Sequence, residues 1–105
     1  MSSTLLAIFK RPEGGEEALE TFMTRYAGEH MPLIEKVPGL RSSVVEKVSQ
    51  GYAGDDILVV TRMTFDDRAA LDAAMTSDEM RVAGRNLREI APGMLTLVAI
   101  DESAA

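Results

Sequence analysis

One segment, Ile57–Phe65 (ILVVTRMTF), restricts the possible folds more than any other part of the chain. It is dense in β-branched residues, which favour β-strands. Because successive side chains of a strand point to opposite sides, its odd-numbered residues would share one face and its even-numbered residues the other. Both faces would be largely apolar, so a sheet built on this strand has to be covered on both sides.

Three further segments predict three more strands: two apolar runs at residues 4–10 and 94–101, and residues 40–49, a strand pattern with polar interruptions. The segments between them carry helical patterns. In the first, Leu19, Phe22, Tyr26 and His30 recur at helical spacing, which predicts an amphipathic helix. The second, residues 66–91, predicts two consecutive helices.

The starts of those two helices carry capping signals. Asp66 is expected to cap the first of them, and Thr76 with Glu79 has the spacing of a capping box at the start of the second. The resulting order, β-α-β-β-α-β, predicts an α+β fold of the ferredoxin-like type. Its four-stranded antiparallel sheet would carry helices on one face.

The uncovered face of this sheet predicts a partner. With 105 residues and no linker or repeat, the chain is expected to form one domain, residues 1–105, whose helices cover a single face. A second copy of the chain is the simplest cover for the other apolar face. We therefore expect a homodimer packed sheet to sheet, with Leu58, Val60 and Arg62 buried by association.

The composition excludes several classes of site and partner. Cysteine is absent and histidine occurs once, which rules out zinc–thiolate sites, iron–sulfur clusters and multi-histidine metal centres. Glycine-rich nucleotide-binding motifs are absent as well, and no metal or other cofactor is expected. The 11 basic and 17 acidic residues give a net charge of −6, which disfavours nucleic acid and acidic membrane surfaces. The apolar runs are shorter than a membrane span of ~20 residues, and a cytoplasmic location is expected.

Tyr26, Glu29 and His30 form the group with the clearest chemical potential. Tyr26 and His30 are four positions apart, so they share the apolar face of their helix. Burial there would keep the imidazole mostly neutral at pH 7, as a general acid–base requires, and a nearby phenol can donate to a developing oxyanion. His30 and Tyr26 are therefore the candidate catalytic residues. The structural alternative is a core tyrosine beside a histidine that ends the helix by bonding backbone carbonyls.

Arg62 is the candidate substrate-binding residue. It lies among apolar residues of its strand, on the face assigned to the dimer interior. A guanidinium in that position needs an anionic partner. The partner is either Glu46 on the neighbouring strand or an anionic group of a ligand.

Several motifs in the first forty residues resemble the EthD family of dimeric α/β-barrel proteins. They are residues 9–14 (FKRPEG), Tyr26, residues 29–34 (EHMPLI) and residues 37–41 (VPGLR), in this order and spacing. The resemblance implies a ferredoxin-like protomer that dimerises through its sheets into a dimeric α/β barrel. It also implies that His30 occupies the position of a catalytic histidine. Relatives in this superfamily include lactone isomerases, polyketide dehydratases and cyclases, and cofactor-free monooxygenases, and heme enzymes share the architecture.

Two classes of function follow from the residues and the resemblance. The first is a cofactor-free enzyme of the isomerase, lyase or oxidoreductase type, in which His30 moves a proton next to the carbonyl of a small apolar compound. The second is a non-catalytic binding or accessory dimer of an oxidative degradation system. A polar pocket around His30 would favour the first, and a dry pocket with His30 bonded to backbone would favour the second. A heme-binding version ranks third, because His30 would be its only imidazole ligand.

Overall fold

The computed structural model describes residues 2–102, so Met1 and residues 103–105 of the expected domain lie outside the described residues. We call the segment Tyr26–His30, which is wound as a π-helix, the π segment. The elements follow the predicted order, with these bounds: β1 Ser3–Lys10, α1 Gly15–Arg25, the π segment, α2 Met31–Ile34, β2 Leu40–Lys47, β3 Ile57–Phe65, α3 Arg68–Met75, α4 Asp78–Ile90 and β4 Leu95–Asp101. The predicted α+β, ferredoxin-like order is confirmed.

The four strands form one antiparallel sheet in the order β2-β3-β1-β4. The central strands are β1 and β3, and Ala7 of β1 is level with Thr61 of β3 and Leu97 of β4. On the outer side of β3, Val45 of β2 is level with Thr61. Side chains at the same level of a sheet point to the same face, and this face is the one that the helices cover.

The helix side of the sheet holds the core. Phe9, Val59 and Phe65 have no exposed surface there. Phe22 of α1 packs against Phe9, with ring centroids 5.5 Å apart. Leu71 of α3 is also buried, so both helical regions contribute to one continuous apolar core.

The caps of two helices lie one residue later than the sequence predicts. Asp67, not Asp66, caps α3, and its carboxylate accepts a hydrogen bond of 2.8 Å from a backbone N–H of the first turn. Ser77, not Thr76, caps α4 in the same way at 3.1 Å. Each pair offers two adjacent side chains able to cap. The cap is the residue whose extended backbone aims its oxygen at the first turn.

The other side of the sheet, which we call the open face, carries no helix within residues 2–102. It is largely apolar, and Val44 and Ile100 on it are 49% and 40% exposed. Arg62 also lies on the open face and pairs with Glu46 of β2, with Nε and Oε1 3.0 Å apart. Glu46 is one of the two partners that the sequence suggests for Arg62. Over residues 2–102, no helix has the length and apolar character needed to cross a membrane.

Candidate active site

An apolar cavity of about 880 Å³ lies between the helix side of the sheet and the helices. Its walls come from β1, β3, β4, the π segment, α2, the end of α3 and one side of α4. The lining is mostly aliphatic, and Tyr26 and His30 contribute aromatic rings with polar atoms. Along β4 the cavity opens to solvent, since Leu95 and Leu97 are 36% and 39% exposed. A small organic molecule fits a cavity of this size and character.

The π segment places both predicted catalytic residues at the cavity. Tyr26 is its first residue and His30 its last, and the Met31 N–H bonds the Tyr26 carbonyl, five residues back instead of the four of an α-helix. The two rings stack, with centroids 5.3 Å apart and planes inclined by 24°. Tyr26 and His30 are each only 2% exposed. The helical spacing in the sequence predicts this pairing, but it does not predict the π turn, a feature often found at functional sites.

His30 is held in place by Asn86 of α4. The Nδ1 of His30 and the Oδ1 of Asn86 are 3.1 Å apart, and the Nδ2 of Asn86 donates to the Glu29 carboxylate at 3.2 Å. Because a carboxylate only accepts hydrogen bonds, Asn86 turns its NH₂ group toward Glu29 and its carbonyl oxygen toward His30. The Nδ1 of His30 therefore carries the proton, and Nε2 keeps a free lone pair.

The Nε2 of His30 is accessible from the cavity. It forms no hydrogen bond with a described residue. Within residues 2–102, every fully buried side-chain nitrogen or oxygen has a hydrogen-bond partner, so Nε2, which has none, is not fully buried. Burial lowers the pKa of His30 below its usual value, and the bond to Asn86 opposes this shift without cancelling it. The imidazole is therefore neutral at pH 7 and able to accept a proton from a molecule in the cavity.

Arg25 sets the charge at the outer end of this hydrogen-bond chain. Its guanidinium makes two contacts with Glu29, at 2.8 and 3.0 Å, and a third with Glu89 at 3.0 Å. Hydrogen bonding to Arg25 lowers the pKa of the Glu29 carboxyl, which is a carboxylate at neutral pH. Glu29 thus keeps Asn86 oriented toward His30, although the Glu29 carboxylate forms no hydrogen bond with the His30 ring.

The Tyr26 hydroxyl reaches the sheet instead of α4. It lies 2.5 Å from the hydroxyl of Thr61 on β3, and either oxygen can be the donor. Burial raises the pKa of Tyr26, so the phenol stays protonated. When the Thr61 hydroxyl donates to the Tyr26 oxygen, the Tyr26 hydroxyl can donate its own proton to a second acceptor.

Sequence patterns indicate His30 and Tyr26 but not their partners Asn86 and Thr61. Asn86 is 56 positions from His30 and lies among the polar residues of α4, where no local motif marks it. Thr61 is one of several β-branched residues of β3, a type that usually marks only strand preference. Only the packing of α4 against the π segment and of the helices against β3 brings these pairs together.

Arg62 lies on the opposite side of the sheet from the cavity. Its ion pair with Glu46 is half-exposed on the open face. Within residues 2–102, no three His, Asp or Glu side chains come together as a group that could hold a metal ion.

Comparison with known proteins identifies the family. The sequence model of the EthD domain matches residues 15–86, more than half of the chain. The chain belongs to the EthD family. The matched region of this EthD-family protein contains the π segment and Asn86, and so the whole bond chain from Arg25 to His30.

Solved structures give the same family and fold. An EthD family protein from Bacillus halodurans C-125 has a TM-score of 0.86 at 30% identity, covering 98% of this chain and 100% of that one. A dimeric ferredoxin-like protein of unknown function from Bacteroides fragilis has a TM-score of 0.67 at 19% identity, covering 96% of both chains. SnoaB, a cofactor-independent oxygenase from Streptomyces nogalater, has a TM-score of 0.60 at 14% identity, covering 99% of this chain and 95% of that one. The last two likenesses show the fold alone. No curated protein matches the sequence.

Proposed function

We propose that this EthD-family protein is a cofactor-free enzyme in which His30 moves a proton on a small, mostly apolar carbonyl compound. The observation that carries the proposal is the buried neutral imidazole, whose Nδ1–H is bound by Asn86 and whose Nε2 is open to an apolar cavity. Removal of a proton next to a carbonyl is a possible first step of isomerisation, of dehydration and of cofactor-independent oxygenation. The site residues support this shared step.

The proton transfer uses His30, Tyr26 and Thr61. The Nε2 of His30 takes a proton from the carbon next to the carbonyl, the C–H electrons form a carbon–carbon double bond, and the carbonyl π electrons move to the oxygen. Tyr26 donates a hydrogen bond to that oxygen while Thr61 donates to Tyr26. The imidazolium then returns its proton to another carbon, in an isomerisation, or to a departing hydroxyl, in a dehydration.

Glu29 assists this transfer through Asn86. The positive charge that forms on His30 has no carboxylate in direct contact, which keeps the resting imidazole neutral. The Asn86 carbonyl oxygen accepts from Nδ1, and the Glu29 carboxylate polarises the amide from its other side. These hydrogen bonds thus stabilise the imidazolium when it forms, while the resting imidazole stays neutral.

The second candidate is a non-catalytic binding or accessory dimer of an oxidative degradation system. The largely aliphatic lining of the cavity favours it, since such a wall can hold a hydrophobic metabolite without reacting. The bonding of His30 favours the enzyme, because His30 bonds a side chain whose orientation leaves Nε2 free, and not the backbone carbonyls of its helix.

We also propose a homodimer formed through the open faces of two protomers. The uncovered apolar surface of that face supports this assembly, and several structural neighbours are described as dimeric. In this dimer the pair of Arg62 and Glu46 lies in the interface, and we assign Arg62 to that ion pair and not to the substrate.

The decisive experiment measures α-proton exchange of ketones in D₂O by NMR, with 2-tetralone and other aromatic ketones that fit the cavity. We expect the protein to accelerate exchange over buffer, His30→Gln to abolish the acceleration and Tyr26→Phe to reduce it. Glu20→Gln, at an exposed position of α1 that does not line the cavity, is the matched control and should exchange at the parent rate. Ketones that bind without exchange would favour the accessory dimer, and undiminished exchange in His30→Gln would show that His30 is not the base.

A further inference from the structure

The charged residues that line the cavity within residues 2–102 are two arginines of α4, Arg81 and Arg88. Both are exposed, so the cavity borders solvent at α4 as well as along β4. Arg81 pairs with Asp78 at the start of its helix at 3.1 Å, while Arg88 forms no ion pair with a described residue. No acidic residue of the described chain lines the cavity, although acidic residues outnumber basic ones by 17 to 11 overall.

Gly84 lies between these arginines on the same side of α4. Arg81, Gly84 and Arg88 are spaced i, i+3 and i+7, which aligns them along one helix face. Gly84 also lines the cavity, and a Cβ added to it would meet no atom within 4 Å. Its backbone has no positive φ angle, so neither a turn nor a close contact requires glycine there. Since glycine is unfavourable inside a helix, the bare backbone points to space that a ligand uses.

We propose that the ligand of this cavity is an organic acid with an apolar body. The body lies against Gly84 and extends toward His30, and the acidic group is bound at the opening by Arg88 together with Arg81. This inference rests on the proposed use of the cavity as the active site and adds the class of substrate. A guanidinium binds planar anionic groups through paired hydrogen bonds, and charge of one sign at an apolar cleft attracts ligands of the opposite sign.

Two fluorescent probes with one ring system test the charge preference. The anionic probe is 1-anilinonaphthalene-8-sulfonate, and the neutral probe is N-phenyl-1-naphthylamine, which lacks the sulfonate. Arg88→Gln is expected to weaken the anionic probe by about fivefold, the upper range for an exposed ion pair, and to leave the neutral probe unchanged. Added salt should weaken binding of the anionic probe and leave binding of the neutral probe unchanged. Arg85→Gln makes the same charge change on an exposed residue of α4 that does not line the cavity, and it should alter neither affinity.

Substitutions of Gly84 test the position of the apolar body. Gly84→Leu fills the space between the arginines and should weaken both probes at least tenfold, and Gly84→Ala, which keeps the fold if leucine does not, should weaken both to a smaller extent. If neither Gly84 substitution changes the affinity of the probes, the probes bind elsewhere, for example on the open face, and the proposal would be overturned. Equal effects of Arg88→Gln and Arg85→Gln on the anionic probe would overturn the anion preference. Ketone exchange is a separate measurement that tests proton transfer by His30. Either of these binding results would therefore overturn the ligand class and leave the proposed proton transfer standing.

Discussion

The rings of Tyr26 and His30 stack 5.3 Å apart within one π turn, yet their polar atoms bond different layers of the fold. His30 bonds Asn86 on α4, and Tyr26 bonds Thr61 on β3. The π segment is thereby fixed to both walls of the cavity, a helix on one side and the sheet on the other. Because the two bonds come from separate elements, each can be removed without the other.

Asn86 sets the tautomer of His30, and Asn86→Leu should abolish that preference. Leucine has a similar volume but accepts no hydrogen bond, so Nδ1 and Nε2 should share the proton. The pKa of His30 should fall further, because the bond to Asn86 raises it. The ¹⁵N chemical shifts of the imidazole across pH measure both effects, and they need no assignment in a chain with one histidine.

Asn86→Asp is the matched control for this measurement. It keeps an acceptor beside Nδ1 and adds a negative charge, so the Nδ1–H tautomer should persist and the pKa of His30 should rise. Unchanged tautomer populations in Asn86→Leu would show that Asn86 does not position the imidazole.

The burial of His30 should make stability depend on pH. The pKa of His30 is lowered from 6.5 in the folded state, so between that lowered value and 6.5 the unfolded chain binds more protons. The free energy of unfolding should therefore be at its full value above about pH 6.5 and decrease as the pH falls through this window. Urea unfolding at a series of pH values measures the slope, and His30→Gln should lack the histidine component. The same slope in both proteins would contradict the burial of His30.

The open face should control assembly, and Val60→Glu should convert a dimer to a monomer. Val60 lies on the open face between Ile8 and Glu46, where a buried carboxylate would be desolvated next to another carboxylate. Light scattering at micromolar concentration measures the mass. Val82→Glu introduces the same change at a 41% exposed valine of α4 and should leave the dimer intact. A monomeric parent protein would exclude the proposed assembly.

The strand pattern could be predicted closely because it depends on local composition. The bounds of β3 agree with the sequence at both ends, and its partition into two faces is the one observed. The helix caps differ by one residue because Asp66 and Asp67, like Thr76 and Ser77, have equivalent local chemistry. The backbone path from the preceding strand or helix decides between them, and that path is a tertiary property.

Only the site residues that are close in sequence could be predicted. Tyr26 and His30 are neighbours along a helix, so their spacing reveals the pairing, whereas Asn86 contributes one polar atom from a distant helix. The direction in which the Tyr26 hydroxyl points was not accessible either, because it depends on Thr61 across the core.

Phe22 should be among the residues that stabilise the fold most strongly. It is 2% exposed, and its ring lies 5.5 Å from that of Phe9 and 5.3 Å from that of Tyr26. Phe22→Ala leaves a cavity between α1 and the sheet and should lower the free energy of unfolding by about 3–5 kcal/mol. Urea unfolding checks this value, with the exposed Glu20→Ala on the same helix as the control. A loss below about 1 kcal/mol would mean that the ring is not part of the core.

Gly84 should have the opposite effect on stability. Gly84→Ala restricts the unfolded chain and removes a weak helix former, so it should raise the free energy of unfolding by about 0.5–1 kcal/mol. The added methyl group meets open space, so no steric cost offsets the gain. Gly39→Ala provides the contrast: Gly39 has a φ of 82°, and alanine there should cost about 1–2 kcal/mol. Urea unfolding of the two variants and the parent measures both changes. If Gly84→Ala destabilised the protein, packing in α4 would require the glycine, and its presence would no longer indicate space kept for a ligand.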